Sequence, residues 1–436
     1  MIISRGGLIA LVLSAGAATA ACAQSGAQAG GQGSAMDRRV AGVGNGMAQV
    51  SFDAREDACG DGARWFRFGD DSWYGTFSSN DASARIGCEA GPVRVLLTVA
   101  VREIVKIETF VGPLQRAEGA TDLGVMPSRD ATSWLLGIAA RADGRPARDA
   151  ILPAVLAKDG SPSAALLAIA RDKDRSRETR RSAINYLARA NDASTDATSR
   201  ALAQLARDEG DTPTVRQQAV SSLGRLPAGA GIEPLSQLAV VASDPWLGRE
   251  ATRALARSGD PRARAFLREA VANERLADDL RAAAIAGLGG DQATGQDAKL
   301  LRDTYRTLRV DKTKDALLGA VAAVGGKVNA DWLLGVARDD REPAALRRKA
   351  VNLAERAGAT GTQLGGLYDA MESTEMRNAV ISALAQEGSK PSRDKLLAIA
   401  RSSEISSVRR RAISALERFD SPEVREALAA LASPKP

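Results

Sequence analysis

Histidine is absent from all 436 residues, and that absence excludes more chemistry than any residue present suggests. Ser-His-Asp and Cys-His nucleophile systems need an imidazole to carry the proton, and His-ligated zinc needs one as a ligand. Paired carboxylates and lysine remain as reactive groups, but none falls in a recognisable catalytic spacing. No cofactor or metal is expected. Cysteine is nearly absent too: Cys22, Cys59 and Cys88 are all there is, with no Cys-x-x-Cys pair to suggest redox or metal work. Aromatic residues make up only 4% against 44% hydrophobic, so the interior must be alanine and leucine, which suits helices packed closely on helices. Excess charge is small: Lys+Arg 59 against Asp+Glu 53 gives +6, spread along the chain, which does not argue for a nucleic-acid partner.

Only one long apolar run is present, Leu8 to Ala20 after Arg5, and it is too short to span a bilayer as a mature helix. It reads as a signal peptide over 1–23. Ala21-Cys22-Ala23 before Gln24 has the Ala-x-Ala form of a cleavage site, which predicts a periplasmic or secreted product beginning at Gln24. The competing reading is a lipoprotein acylated at Cys22 after Thr19-Ala20-Ala21, although Thr19 stands where such signals normally have leucine. Membrane association is expected only if Cys22 is lipidated. From Gln24 the chain is Gly, Ala, Gln and Ser, a composition that buries too little surface to fold, so 24–39 is expected to be a disordered linker.

Over 40–115 the pattern alternates with a period of two. Gln49–Phe52, Arg64–Phe68, Val93–Val99 and Ile104–Phe110 are β-branched or aromatic, with Gly, Asp, Asn and Ser between them. This predicts a small antiparallel β domain over 40–115, with Pro113 marking its exit. Two cysteines in one exported segment are expected to pair, so Cys59 and Cys88 should form a disulfide that supplements the small core. Cys59-Gly60-Asp61-Gly62 and Gly69-Asp70-Asp71 invite a calcium site, but Gly and Asp build tight turns without any ion. Trp65, Trp73, Tyr74 and Phe77 could form an exposed binding platform; as a cluster in a small sheet they read better as its core.

The rest of the chain repeats itself. The frame Arg-x-x-Ala-(Ile/Val)-x-x-Leu, clearest at Arg409–Leu416, starts at 147, 180, 216, 248, 281, 314, 347, 377 and 409, a period of 30 to 36 residues. At about 100° per residue the apolar positions plus three, plus four and plus seven share one face, and the arginine sits at its centre. A buried guanidinium must find acceptors. Asp172, Asp208 and Asp339 stand eight residues before Arg180, Arg216 and Arg347, and are the expected partners. At Ala147, Gly248 and Lys314 the arginine is lost or replaced. A first-helix phrase recurs as Trp134–Ala139, Ala165–Arg171, Trp332–Arg338 and Lys395–Arg401, so each unit is a helix, a short Asp/Pro-rich turn and a second helix.

These repeats resemble the HEAT-repeat family, in particular the short HEAT-like repeats also found in phycobilisome lyases. The resemblance covers about residues 130 to 432 and implies a mainly α chain, a HEAT-like α-solenoid of about nine helix pairs over 130–436, whose second helices line a concave binding face. It also implies a structural ladder of Asp172, Arg180, Asp208, Arg216, Arg281, Asp339, Arg347, Arg377 and Arg409, interrupted where the arginine is missing. Plus five and plus nine point away from the core. They carry Asn185, Arg189, Arg225, Arg253, Arg257, Asn352, Arg356 and Arg418, a stripe that could meet an acidic protein surface or could simply complement helix C-termini. The expected function is an exported, non-catalytic scaffold for a protein partner. Alternatives are an enzyme accessory resembling HEAT-like lyases or glycosylases, which would need an isolated carboxylate near Trp246 or Trp332, and a structural envelope lipoprotein.

Overall fold

The computed structural model describes residues 35–69, 72–75, 88–113, 117–190, 192, 194–241, 243–402 and 404–432. The signal peptide, Cys22, residues 24–34 of the linker, Asp70, Asp71 and Phe77 lie outside the described residues. The chain divides into two compact units, Met1–Thr198 and Ser199–Pro436.

In the first unit, helix α1 spans 35–43, so the last five residues of the expected linker are helical. Met36 and Val40 lie four apart and are buried, and Asp37 accepts a 2.7 Å hydrogen bond from the Trp134 indole. That apolar pair and its polar anchor were hidden at the edge of a Gly/Ala/Gln run. Strands β1 (Gly46–Phe52), β2 (Ala58–Gly60), β3 (Trp65–Phe68), β4 (Ser72–Gly75), β5 (Val93–Ala100), β6 (Glu103–Val111) and β7 (Ala120–Val125) follow. They form a sheet of order β6-β5-β1-β7 and a smaller one of order β2-β3-β4. Alternation carries Val93, Val95, Leu97 and Val99 of β5 into the core beside Ala48, Val50 and Phe52 of β1.

Pairing is antiparallel except for β7, which runs parallel to β1 along the sheet edge. The β region therefore extends past the expected end at 115 to Val125. Strand β7 contains Gly124 and Asp122, whose weak strand propensity conceals it in the sequence. Cys59 and Cys88 are bridged as expected. At Gly60 an added Cβ would lie 2.3 Å from the Val111 carbonyl, so the bridged strand can approach β6 only as glycine.

Helices α2 (Ser128–Arg141), α3 (Gly144–Asp149), α4 (Ile151–Leu156), α5 (Ser163–Arg171) and α6 (Arg177–Leu187) complete this unit. Phe66 and Phe68 both stack with Tyr74 at 5.3 Å, and Phe68 with Tyr186 of α6 at 6.3 Å, while Trp65 is buried. Trp65, Phe66 and Phe68 are therefore core residues, with the half-buried Tyr74 packed on the two phenylalanines. Asp61 accepts from the amides of Ala63, Arg64 and Trp65, which is turn chemistry. Burial works against its charge, but those three amides and Arg64 outweigh it and hold the carboxyl below its usual range.

Helix α7 (Thr195–Arg207) straddles the division. The second unit continues with α8 (Pro213–Leu223), α9 (Ile232–Ala239), α10 (Pro245–Arg257), α11 (Pro261–Ala272), α12 (Asp278–Leu288), α13 (Gly295–Thr304), α14 (Asp311–Val324), α15 (Lys327–Arg338), α16 (Ala344–Arg356), α17 (Gly361–Ala370), α18 (Thr374–Glu387), α19 (Lys390–Arg401), α20 (Ser406–Leu416) and α21 (Pro422–Ala432). The even-numbered helices from α8 to α20 are the second helices, and each packs on the next, forming one layer of a helical solenoid stack. Their frame positions are buried: Ala219, Val220 and Leu223 in α8, Ala284, Ile285 and Leu288 in α12, Ala350, Val351 and Ala354 in α16. Each fully buried Leu, Ile or Val contributes about 1.5–3 kcal/mol, so the repeats are held by the same few positions used many times. Proline opens α8, α10 and α11 at the first turn, where its missing amide costs no helix bond.

Candidate interaction face of the second helices

The frame arginines fix the second helices against the first. The Nε–H of Arg180, Arg216, Arg281 and Arg347 donates to the carbonyl ten residues upstream: Ala170 at 2.9 Å, Ala206 at 2.9 Å, Val271 at 3.3 Å and Ala337 at 3.0 Å. Those carbonyls lie at the ends of α5, α7, α11 and α15, where helix geometry leaves them without an amide. Arg377 does the same with the Met371 carbonyl at 2.7 Å.

The acidic partners are not where the spacing placed them. Asp172 pairs with Arg175 at 3.4 Å and accepts the Asp174 amide, Asp208 accepts the Gly210 amide, and Asp339 pairs with Arg341 at 2.8 Å. Carboxylates eight residues upstream close their own turns. Arg216 instead pairs with Asp244, and Arg377 with Glu404 at 2.8 Å, each carboxylate standing in the turn of the following repeat. Burial opposes the Asp244 charge, but Arg216 and the Leu247 amide outweigh it and lower its pKa. Arg347 takes Asp340 at 2.7 Å, one residue from the expected Asp339. Arg216 and Arg377 therefore link successive repeats, while Arg347 pairs within its own.

The breaks also differ from expectation. Lys314 keeps a rung, pairing with Glu342 at 2.9 Å. Arg409 does not: it is exposed, because the carbonyl it would cap, Ile399, already accepts the Ser402 amide at 3.2 Å and hydroxyl at 2.7 Å. At Gly248 an added Cβ would meet the Ala239 carbonyl at 3.0 Å, so close approach replaces the arginine.

Of the outward positions, Arg225, Arg253, Arg257, Asn352, Arg356 and Arg418 are exposed in the second unit. Asn185 and Arg189, in the first, are half-buried. Arg189 is no part of an open stripe: it donates to the Tyr74 hydroxyl and lies 5.7 Å from the Phe68 ring, held by the β3–β4 hairpin that the repeat pattern could not foresee. Grooves run between successive second helices. One of about 400 Å³ is lined by Arg348, Asn352 and Arg356 of α16 with Ala379, Ser382 and Gln386 of α18. Another, of about 230 Å³, is lined by Ser382, Ala385 and Gln386 of α18 with Arg411, Ser414 and Ala415 of α20, and Arg418 beyond it. A third, of about 550 Å³, sets Arg249, Arg253 and Arg257 of α10 over the alanines of α12.

Not all these cations are free. Arg348 pairs with Glu375, Arg249 with Asp279 at 3.3 Å and Arg253 with Glu250. Arg257, Arg356 and Arg418 have no ion-pair partner among the described residues. The repeat frame misses Arg348 and Arg411 because they stand at plus one and plus two, not at its outward positions plus five and plus nine, and Gln386 because it is an amide where other repeats carry arginine at plus nine.

The places named for an enzymatic site are filled differently. Trp246 lies 4.9 Å from the Arg216 guanidinium, and its neighbour Asp244 caps α10 and holds Arg216. Trp332 meets Tyr305 edge-on at 5.2 Å. Among the described residues no group of His, Cys, Asp or Glu could hold a metal ion, and no helix is long and apolar enough to cross a membrane.

Residues 199–289 match the family model described as HEAT repeats. Comparison with curated proteins gives no match. Among solved structures, human deoxyhypusine hydroxylase in complex with glycerol is 21% identical, with 55% of this chain and 91% of that one covered and a TM-score of 0.27. Lipovitellin is 11% identical, with 77% and 40% covered and a TM-score of 0.44, and importin beta is 11% identical, with 70% and 47% covered and a TM-score of 0.38. The chain spans less than half the length of those last two. At these identities and scores the likenesses carry nothing about function.

Proposed function

The chain is a HEAT-repeat protein, and from that premise we propose that it is an exported, non-catalytic scaffold binding a protein partner through the outward face of its second helices in residues 199–436. The observation that carries this reading is the set of grooves between neighbouring second helices, floored by alanine, serine and amide side chains and edged by arginines, of which Arg257, Arg356 and Arg418 have no ion-pair partner among the described residues. Repeated grooves of modest depth offer area for contact, and a surface of that kind gains affinity from a few anchored side chains. Export is supported by the leader pattern of residues 1–23 and by the Cys59–Cys88 bridge, since such bonds persist in oxidising compartments. The carboxylate beside Trp246 is committed to the ladder, which favours a structural over a chemical role for that position.

Cross-linking from the second-helix face in the envelope fraction of the producing cell tests the proposal. A specific protein is expected to be captured by the mature chain and lost when Arg356→Glu and Arg418→Glu are combined. Capture unaffected by that change, or turnover of a substrate by the purified chain alone, would overturn it. N-terminal sequencing of the exported product is expected to begin at Gln24.

A further inference from the structure

Across α16, α18 and α20 the outward positions fall into rows. The ninth position after each frame start carries Arg356, Gln386 and Arg418, and the fifth carries Asn352, Ser382 and Ser414. Helices α16 and α18 pack side by side, as do α18 and α20, and the two grooves they form share Ser382 and Gln386. One row is therefore cation, amide, cation; the other is amide, hydroxyl, hydroxyl.

The two arginines have no carboxylate partner among the described residues, and Glu355 and Glu417, the residues before them, pair with neither. Arg348 is neutralised by Glu375, while Arg411 donates to the Ser382 hydroxyl at 2.9 Å and keeps its charge, so the unpaired positive charge lining the two grooves sits at Arg356 on α16, at Arg411 on α20 and at Arg418 just past it. Packed helices are about 8–10 Å apart, which sets Arg356 and Arg418, two helices apart, roughly 16–20 Å from one another. An extended peptide advances about 3.3 Å per residue, so five or six residues bridge that interval.

We propose that α16, α18 and α20 dock an extended acidic segment of a partner protein, with two carboxylate groups about five or six residues apart on Arg356 and Arg418 and the intervening backbone over Ser382 and Gln386. The proposal rests on the scaffold reading above and names its partner's chemistry. Positive charge at the two outer helices, with the neutral Ser382 and Gln386 of α18 between them, fits a peptide better than a polynucleotide, whose phosphates recur at every nucleotide and demand a continuous run of positive charge. Amide and hydroxyl side chains between the cations can meet the N–H and C=O groups that an extended backbone presents.

The test is fluorescence anisotropy on the full mature chain with synthetic peptides of one composition. One carries two Glu-Glu pairs separated by five Gly/Ser residues, one carries the four Glu together, and one replaces Glu by Gln; a single-stranded oligonucleotide of equal charge is the fourth probe. The spaced peptide is expected to bind at least tenfold more tightly than the clustered one and to be lost with Gln. Arg356→Gln or Arg418→Gln should each weaken it several-fold with an unchanged melting temperature, while Arg410→Gln, exposed but outside the grooves, should not. Equal binding of spaced and clustered peptides, or equal binding of the oligonucleotide, would overturn the proposal in favour of an unspecific polyanion surface. If no peptide binds while cross-linked capture still depends on Arg356 and Arg418, the occupant is a folded surface: this proposal fails and the scaffold reading stands. Loss of both dependences removes both.

Discussion

A guanidinium carries five N–H donors and does not give up its charge, so its most favourable buried position is against carbonyls that a helix end leaves unbonded. Arg216 occupies such a position, with the Ala206 carbonyl on one side and Asp244 on the other. Replacing it by methionine leaves the Ala206 carbonyl without its donor and the half-buried Asp244, still capping Leu247, without its counter-charge, and is expected to lower stability by about 2–4 kcal/mol. Arg356→Met, at an exposed site with no partner, should stay within about 0.5 kcal/mol, and urea unfolding of the two variants compares them directly. Arg180, Arg216 and Arg281 were legible as buried from their place on the wheel, whereas Arg347 and Arg377 are half-buried and Arg409 is exposed. The acids of Arg216 and Arg377 were not legible, because Asp244 and Glu404 lie in the next repeat and only the stacking brings them close. Asp297 is a buried carboxylate of a different kind: it closes the capping box of α13 with the N-cap Thr294 and pairs with Arg264 and Arg268 at 2.7 Å. Burial works against its charge, but Arg268, Thr294 and Arg264 outweigh it and bring the pKa to about 2. With an unfolded value near 4, roughly that of free aspartate, this group adds stability that is full above about pH 4 and lost as pH falls towards 2. Asp297→Asn should therefore be less stable than the parent at pH 7, with the gap in urea midpoint closing below pH 4; a gap constant down to pH 2 would contradict the assignment.

At the scale of elements, close contact between helices depends on small residues. An added Cβ at Gly289, just past α12, would lie 2.5 Å from both Cα and Cβ of Ala320 in α14. Gly289→Ala is expected to push the two helices apart at a cost of about 1–3 kcal/mol, read as a drop in melting temperature. In the first unit the Cys59–Cys88 bridge spans 29 residues, and the chain entropy it removes from the unfolded state corresponds to about 3–4 kcal/mol. A thiol assay on the unreduced mature protein should find no reactive Cys59 or Cys88, and the double Cys→Ala variant should unfold its sheet at lower denaturant. Helix pairs were legible because each repeats the same apolar spacing. Helix α1 and strand β7 were not: one has only Met36 and Val40 to bury, the other is a short edge strand broken by glycine.

For the molecule as a whole, repetition is the property that links sequence to role. Each second helix buries one narrow stripe and turns the opposite one outward, so the outward residues of neighbouring repeats are brought into rows by the packing of the core. The frame predicted which positions face out, and Arg356, Asn352 and Arg418 are there. It could not predict that Arg348 is cancelled by Glu375, or that Arg189 is taken up by Tyr74, since both depend on residues distant in sequence. The measurement that tests the central claim most directly is hydrogen exchange on the full mature chain, alone and bound to its cross-linked protein partner. Protection on binding should fall on α16, α18 and α20. Protection confined to the first helices α15, α17 and α19, or to the sheets of the first unit, would contradict it.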